Sequence, residues 1–234
     1  MEPFAGSACL FFELKPKNAL LADINPDLID MYREVKHRVG EVVVELQRLE
    51  CSREDYYRIR RLNPDELTRS KRAARFIYLN RFCFNGLYRT NRAGQFNVPY
   101  GALRSGPLPS KQALHASALL LRKASLKAVH FKCVLAEIRH GDFVYMDPPY
   151  SVKSRRVFNE YASEQFSDRD LATLRQGMRD LDQRGIRFLV SYADSPEGDF
   201  LRQGFECSSI DVRRHIAGFA GNRRDSRELL IFNR

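Results

Sequence analysis

The chain has 234 residues, 44% hydrophobic and 29% charged, which suits one large folded domain or a domain with an insertion and excludes a disordered or fibrous chain. No apolar run reaches the ~18–20 residues of a membrane-spanning helix, and the acidic start MEPFAGSACL lacks the basic region of a secretory signal. The net charge of +10 is concentrated: residues 53–123 hold fifteen Lys/Arg against four Asp/Glu, and the rest of the chain holds 24 against 25.

In chain order, residues 19–24 read as a short apolar strand ending at Asp23. Pro26 to Arg38 has helical period through Leu28, Ile29, Tyr32 and Val35 and is expected to stop at Gly40, with a second helix over 41–50. A basic helix is expected over 66–81. From Phe84-Asn85-Gly86-Leu87 to Gly101 the turn residues predict a loop and hairpin. Ser110 caps a helix over 110–124. Phe143–Met146 reads as a buried strand running into Asp147-Pro148-Pro149-Tyr150. Ser167 starts a helix over 168–184, with Asp170 three residues on as its capping partner. Then come a strand at 186–191, a short helix at 196–203, and strands at 205–212 and 228–232. Strand–helix alternation at both ends argues for an α/β sheet, and the basic middle reads as an inserted subdomain.

The basic stretch is the footprint of a surface facing a polyanion, and a solvated basic face explains it equally well. Aromatic residues interleave with its arginines, among them Tyr56, Tyr57, Phe76, Tyr78, Phe82 and Tyr88, as base-stacking surfaces require, although some at helical spacing serve the core. The five cysteines, Cys9, Cys51, Cys83, Cys133 and Cys207, are odd in number and lack metal-ligand spacing. Neither a metal site nor a disulfide framework is expected, and a reducing cytoplasm is the natural setting.

Four segments carry chemistry. Glu2-Pro3-Phe4-Ala5-Gly6-Ser7-Ala8 is a small-residue turn that lets backbone approach a ligand. Asp23 suits a ribose diol, or equally caps the helix that follows. Asp147-Pro148-Pro149-Tyr150 places an acid at the carboxyl end of a strand, beside carbonyls that proline leaves free to accept and a tyrosine ring; two acceptors and a ring suit an exocyclic amine. Arg81–Gly101 mixes arginine and asparagine, the side chains that read base edges in pairs. His115, His130, His140 and His215 have no partner at useful spacing, and His37 reads as a helix C-terminal residue. Arg213, Arg214, Arg223, Arg224 and Arg227 suit phosphates or a solvated hairpin. No GxSxG, Walker A or HExxH pattern occurs.

Together these segments resemble the Dam-type, D12 class DNA adenine-N6 methyltransferases, from residue 2 to the C-terminus. EPFAGSA resembles the family's first cofactor motif and LLADINPDLI its acidic-loop segment. YLNRFCFNGLYRTNRAGQFNVPYG is similar to its recognition segment, GDFVYMDPPY to its catalytic motif and RELLIFN to its closing strand. The resemblance implies a class I S-adenosylmethionine-dependent, Rossmann-like sheet: residues 1–52 and 125–234 form the catalytic domain and 53–124 an inserted target-recognition region. It implies methyl transfer from S-adenosylmethionine to a flipped-out adenine in double-stranded DNA, with GATC the leading site, by a monomer without metal or membrane. Glu2, Pro3, Phe4, Gly6, Asp23 and Asp147 would hold the cofactor. Asp147, Pro148, Pro149 and Tyr150 would hold the target base. Asn85, Leu87, Arg89, Asn91 and Pro99 would meet DNA, with Arg89 the guanine reader.

This chain departs from the family at three places. Ala8 stands where a glycine often ends the first motif. Cys133 holds a position often taken by an aromatic against the cofactor's adenine, with Phe131 nearby. Family members also carry a Lys-containing segment and a first strand ahead of the EPF turn. That last difference implies a shortened central strand, and a truncated, catalytically inactive DNA-binding homologue as the alternative.

Overall fold

The apolar run ALLAD forms strand β1 (Ala19–Asp23), its side chains alternating between two helical layers. Leu21 packs with the long helix that follows, whereas Leu20 and Ala22 cluster with Val134 on the other face. A computed structural model describes residues 1–91, 93–101, 106–149, 166–213 and 225–234. The helices are α1 (Cys9–Leu14), α2 (Pro26–Gln47), α3 (Arg53–Arg61), α4 (Arg69–Phe82), α5 (Lys111–Leu121), α6 (Phe131–Glu137), α7 (Asp168–Gln183) and α8 (Pro196–Arg202). The remaining strands are β2 (Ala124–Ala128), β3 (Phe143–Met146), β4 (Arg187–Ala193), β5 (Glu206–Arg213) and β6 (Asp225–Phe232).

Two groups of strands, β2–β1 and β3–β4–β6–β5, are joined by two residues. The Glu2 amide donates to the Leu20 carbonyl at 2.8 Å, and the Ala22 amide to the Glu2 carbonyl at 2.9 Å. On the other edge the Met1 amine donates to the Phe143 carbonyl at 2.7 Å, and the Tyr145 amide to the Met1 carbonyl at 2.9 Å. The sheet therefore runs β2, β1, Met1–Glu2, β3, β4, β6, β5, parallel as far as β4 and antiparallel beyond it. From the centre the chain steps outward through β1 to β2, then crosses to β3. The direction of winding thus reverses between Met1–Glu2 and β3, and the carboxyl ends of the strands open a crevice there.

Helix α2 is two helical stretches that meet at a kink two residues before Gly40, close to the expected stop, and Ile29, Tyr32, Val35, Val42, Val43 and Leu46 are its buried apolar residues. The kink residue, Arg38, has φ −137° and ψ 38°. His37 is the last residue before the kink, at the C-terminal end of the first stretch, as expected. Asn25 accepts from the Asp27 and Leu28 amides and caps α2, which removes the capping role considered for Asp23. The buried residues of α2, α3, α4 and α5 join Ala5, Phe11 and Leu21 in one apolar core; β3, β4, β6, α7 and α8 form another. Helices α1, α3 and α6 and strand β2 are additions to the sequence reading.

The segment expected as a loop and hairpin is a long loop with a short antiparallel hairpin at its tip, where the Asn91 amide donates to the Gln95 carbonyl at 2.9 Å and the Asn97 amide to the Arg89 carbonyl at 3.0 Å. It holds a 3₁₀ turn at Phe84–Gly86 and isolated bridges Cys83–Tyr100 and Thr90–Phe96. The loop is fastened from below: the Tyr56 hydroxyl and Arg60 Nη1 both donate to the Val98 carbonyl, at 2.9 and 3.0 Å.

Candidate active site

Three neighbouring stretches end at the crevice. Pro3, Phe4 and Gly6 follow the central segment, Asp23 and Ile24 end β1, and Asp147, Pro148 and Pro149 follow β3; all line one cavity of about 1060 Å³. Ala128, Val129, His130, Phe131, Phe166 and Asp170 complete its wall. Five pieces of the chain thus converge at the carboxyl edge of the sheet. Tyr150 lies outside the described residues.

The turn at Gly6 is tied to β1. Asp23 Oδ2 accepts from the Gly6 amide at 3.0 Å and Oδ1 from the Asn25 amide at 2.9 Å, while the Tyr32 hydroxyl donates to the Gly6 carbonyl at 2.8 Å. Gly6 has φ +47°, in the left-handed region. Ala8 shares that region at φ 50°. Its backbone accounts for the advantage glycine has there, since an L residue in this conformation costs about 1–2 kcal/mol.

Glu2 lies outside the cavity lining, beneath the turn. Burial pushes its carboxyl up, the N-terminal ammonium opposes that rise, and the charge of Asp147 adds to it. The Tyr145 hydroxyl is pushed up to about 12, first by burial and then by Asp147.

Phe131 fills the aromatic position of the wall: its ring stacks on Phe4 at 4.9 Å and lies 6.0 Å from Phe166. Cys133 is exposed. His130, expected to be without a partner, places Nε2 3.3 Å from Asp170 Oδ1, forty residues away in the chain. Asp170 also completes the expected capping box with Ser167. Burial pushes the Asp170 carboxyl up, but the Ser167 hydroxyl and amide and His130 outweigh it, and its pKa lies below the ordinary carboxylate value.

None of Asn85, Leu87, Arg89, Asn91 and Pro99 lines this cavity. Asn85 sits at φ 55° in the 3₁₀ turn, and Leu87 is exposed. Arg89 Nε donates to Asn97 Oδ1 at 2.7 Å. Asn91 Oδ1 accepts from the Ala93 and Gln95 amides, so that oxygen braces its own turn. The Pro99 carbonyl accepts from the Phe84 amide at 2.8 Å. Among the described residues no group of three His, Cys, Asp or Glu could hold a metal ion, and no helix is long and apolar enough to cross a membrane.

The family described as D12 class N6 adenine-specific DNA methyltransferase matches residues 1–216. The chain belongs to this family. It is 34% identical to the type II methyltransferase M1.LlaDCHI of Lactococcus lactis subsp. cremoris, over 99% of this chain and 85% of the relative. It is also 34% identical to the type II methyltransferase M.MjaIII of Methanocaldococcus jannaschii, over 100% of this chain and 87% of that one. The DNA adenine methylase of Escherichia coli strain K12 is 32% identical, over 98% and 84% respectively. As a D12 class methyltransferase, the chain carries its DPP at the cavity and its NGL–R–N segment on the α3-braced loop.

Proposed function

We propose that this D12 class methyltransferase transfers a methyl group from S-adenosylmethionine to N6 of an adenine flipped out of duplex DNA, with GATC the expected site, on a class I methyltransferase sheet. The observation that carries the reading is the shared cavity, in which Phe4, Gly6 and Asp23 face the same space as Asp147 and Pro148. The residues fit the cofactor. Each Asp23 oxygen takes one backbone N–H and has a second lone pair for a ribose hydroxyl. Gly6 lets the backbone pass close to the ligand, and the partly exposed ring of Phe4, backed by the buried Phe131, gives the wall an aromatic surface for a purine.

When bound, S-adenosylmethionine supplies an electrophilic methyl on a sulfonium. The protein's part is alignment. An adenine N6 lone pair is delocalised into the purine and is a weak nucleophile. Asp147 and the Pro148 carbonyl each accept one N–H of the amine, which turns the lone pair toward the methyl; as the N–C bond would form and the S–C bond break, one amine proton would pass to Asp147 or through it to water. Holding the two reacting atoms in line converts an encounter into a unimolecular step, so positioning supplies most of the rate. Tyr150 takes the stacking role from the motif alone. Base extrusion is required because N6 of a stacked, paired adenine is out of reach.

The test is methyl-labelled S-adenosylmethionine with duplexes that do or do not contain GATC, followed by nucleoside analysis. Label in N6-methyladenine of the GATC duplex supports the proposal. Label at another base position, or none in DNA, contradicts it.

A further inference from the structure

The proposed reaction leaves two polar groups of the cavity without a role: His130 and Asp170. They come from different elements, the residue capping α6 and the first turn of α7. His130 Nδ1 accepts from the Lys132 amide at 3.3 Å, so the ring proton sits on Nε2 and points at Asp170 Oδ1. Asp170 Oδ2 is occupied by the Ser167 amide at 2.9 Å and hydroxyl at 2.6 Å. Oδ1 receives the longer His130 contact, and a carboxylate oxygen has two lone pairs.

Position across the sheet separates this pair from the target-base site. Along the carboxyl edge the order is β2 with His130 and Phe131, β1 with Asp23, the Gly6 turn, then β3 with Asp147. A nucleoside with its ribose at Asp23 lies between the two ends. If its sulfonium faces Asp147, its base falls at Phe131, His130 and Asp170. There it meets an aromatic wall, since His130 and Phe131 have ring centroids 4.5 Å apart and Phe4 stacks on Phe131. Beside that wall stands a carboxylate, which accepts hydrogen bonds and donates none.

We propose that Asp170, oriented by His130 and Ser167, accepts a hydrogen bond from the exocyclic amine of the cofactor's adenine and makes the site selective for a 6-amino over a 6-oxo purine. The inference rests on the cofactor reading above. An oxo group in that place sets two acceptors against each other, and a site built around one hydrogen bond rejects the analogue that lacks it.

Calorimetry on the full chain with S-adenosylhomocysteine and S-inosylhomocysteine tests it. The wild type is expected to prefer the amine by about tenfold or more, a single hydrogen bond's worth. Asp170→Asn, whose amide can donate to an oxo group and still cap α7, is expected to shrink or invert that ratio. His130→Ala is expected to weaken the preference and His130→Gln, which restores a donor near Oδ1, to recover it; this pair carries the test if Asp170→Asn fails to fold. A wild type with no preference, or variants that all keep the wild-type ratio, overturn the proposal while leaving the cofactor reading intact. Failure of the wild type to bind either nucleoside overturns both.

Discussion

The Gly6 amide donates to Asp23 Oδ2 at 3.0 Å, so the turn after the central segment is fastened to the end of β1. One carboxylate thereby fixes the floor of the cavity and, through Oδ1 and the Asn25 amide, the start of α2. Asp23→Asn replaces one acceptor by an N–H that faces a backbone N–H. The expected cost is about 1–3 kcal/mol of stability, read by urea denaturation, because a donor is left facing a donor. The same variant should weaken binding of S-adenosylhomocysteine. Unchanged stability and affinity would show that the carboxylate holds neither the turn nor the ribose.

Gly101→Ala addresses the loop that carries the proposed DNA contacts. A Cβ at Gly101 would lie 2.5 Å from the Cys83 carbonyl oxygen and 2.8 Å from its carbon, both backbone atoms that cannot rotate aside. The Gly101 amide also donates to the Phe82 carbonyl at 2.7 Å. Crowding of this kind costs about 1–3 kcal/mol. The expected result is a lower urea midpoint and weaker duplex binding, with S-adenosylhomocysteine binding retained. Unaltered duplex binding would separate this loop from the DNA.

Arg89 is held by Asn97, which positions its guanidinium on the same loop. Arg89→Ala is expected to cost about 1–3 kcal/mol at one base position and to relax specificity there. Methylation rates on duplexes varied one base pair at a time give the answer. Equal weakening on every duplex would mark a phosphate contact instead.

Asp170 gives a pH signature. Its folded-state pKa lies below the ordinary value, with burial opposing the shift and Ser167 and His130 producing it. A depressed carboxyl contributes stability that is present above the unfolded pKa of about 3.9 and is lost as pH falls through the folded value. Asp170→Asn should therefore lower the urea midpoint at neutral pH and flatten its fall from about pH 4 downward. An identical acid limb in the variant would assign that loss of stability to other carboxyls.

The parts of the site that were legible in the sequence are those whose signal is local. FVYM before DPPY marks a strand ending in an acid, and Ser167 with Asp170 marks a helix start; both appear at the expected positions. The missed parts depend on distant partners. Ala124–Ala128 is a mixed ASLKA run that becomes a strand by pairing with β1. His130 and Asp170 meet because the ends of α6 and α7 meet, and no spacing within the chain encodes that contact. Phe131 and Phe166 join the wall for the same reason.

The central claim is that Asp147, at the end of β3, grips the amine that receives the methyl. Single-turnover methyl transfer by Asp147→Ala, with duplex and S-adenosylhomocysteine binding measured on the same protein, tests it most directly. The account predicts a rate lower by about 100-fold or more, the scale of losing one preorganised hydrogen-bonding group, with duplex binding near the wild-type value. A variant that binds both and transfers methyl at the wild-type rate would contradict it.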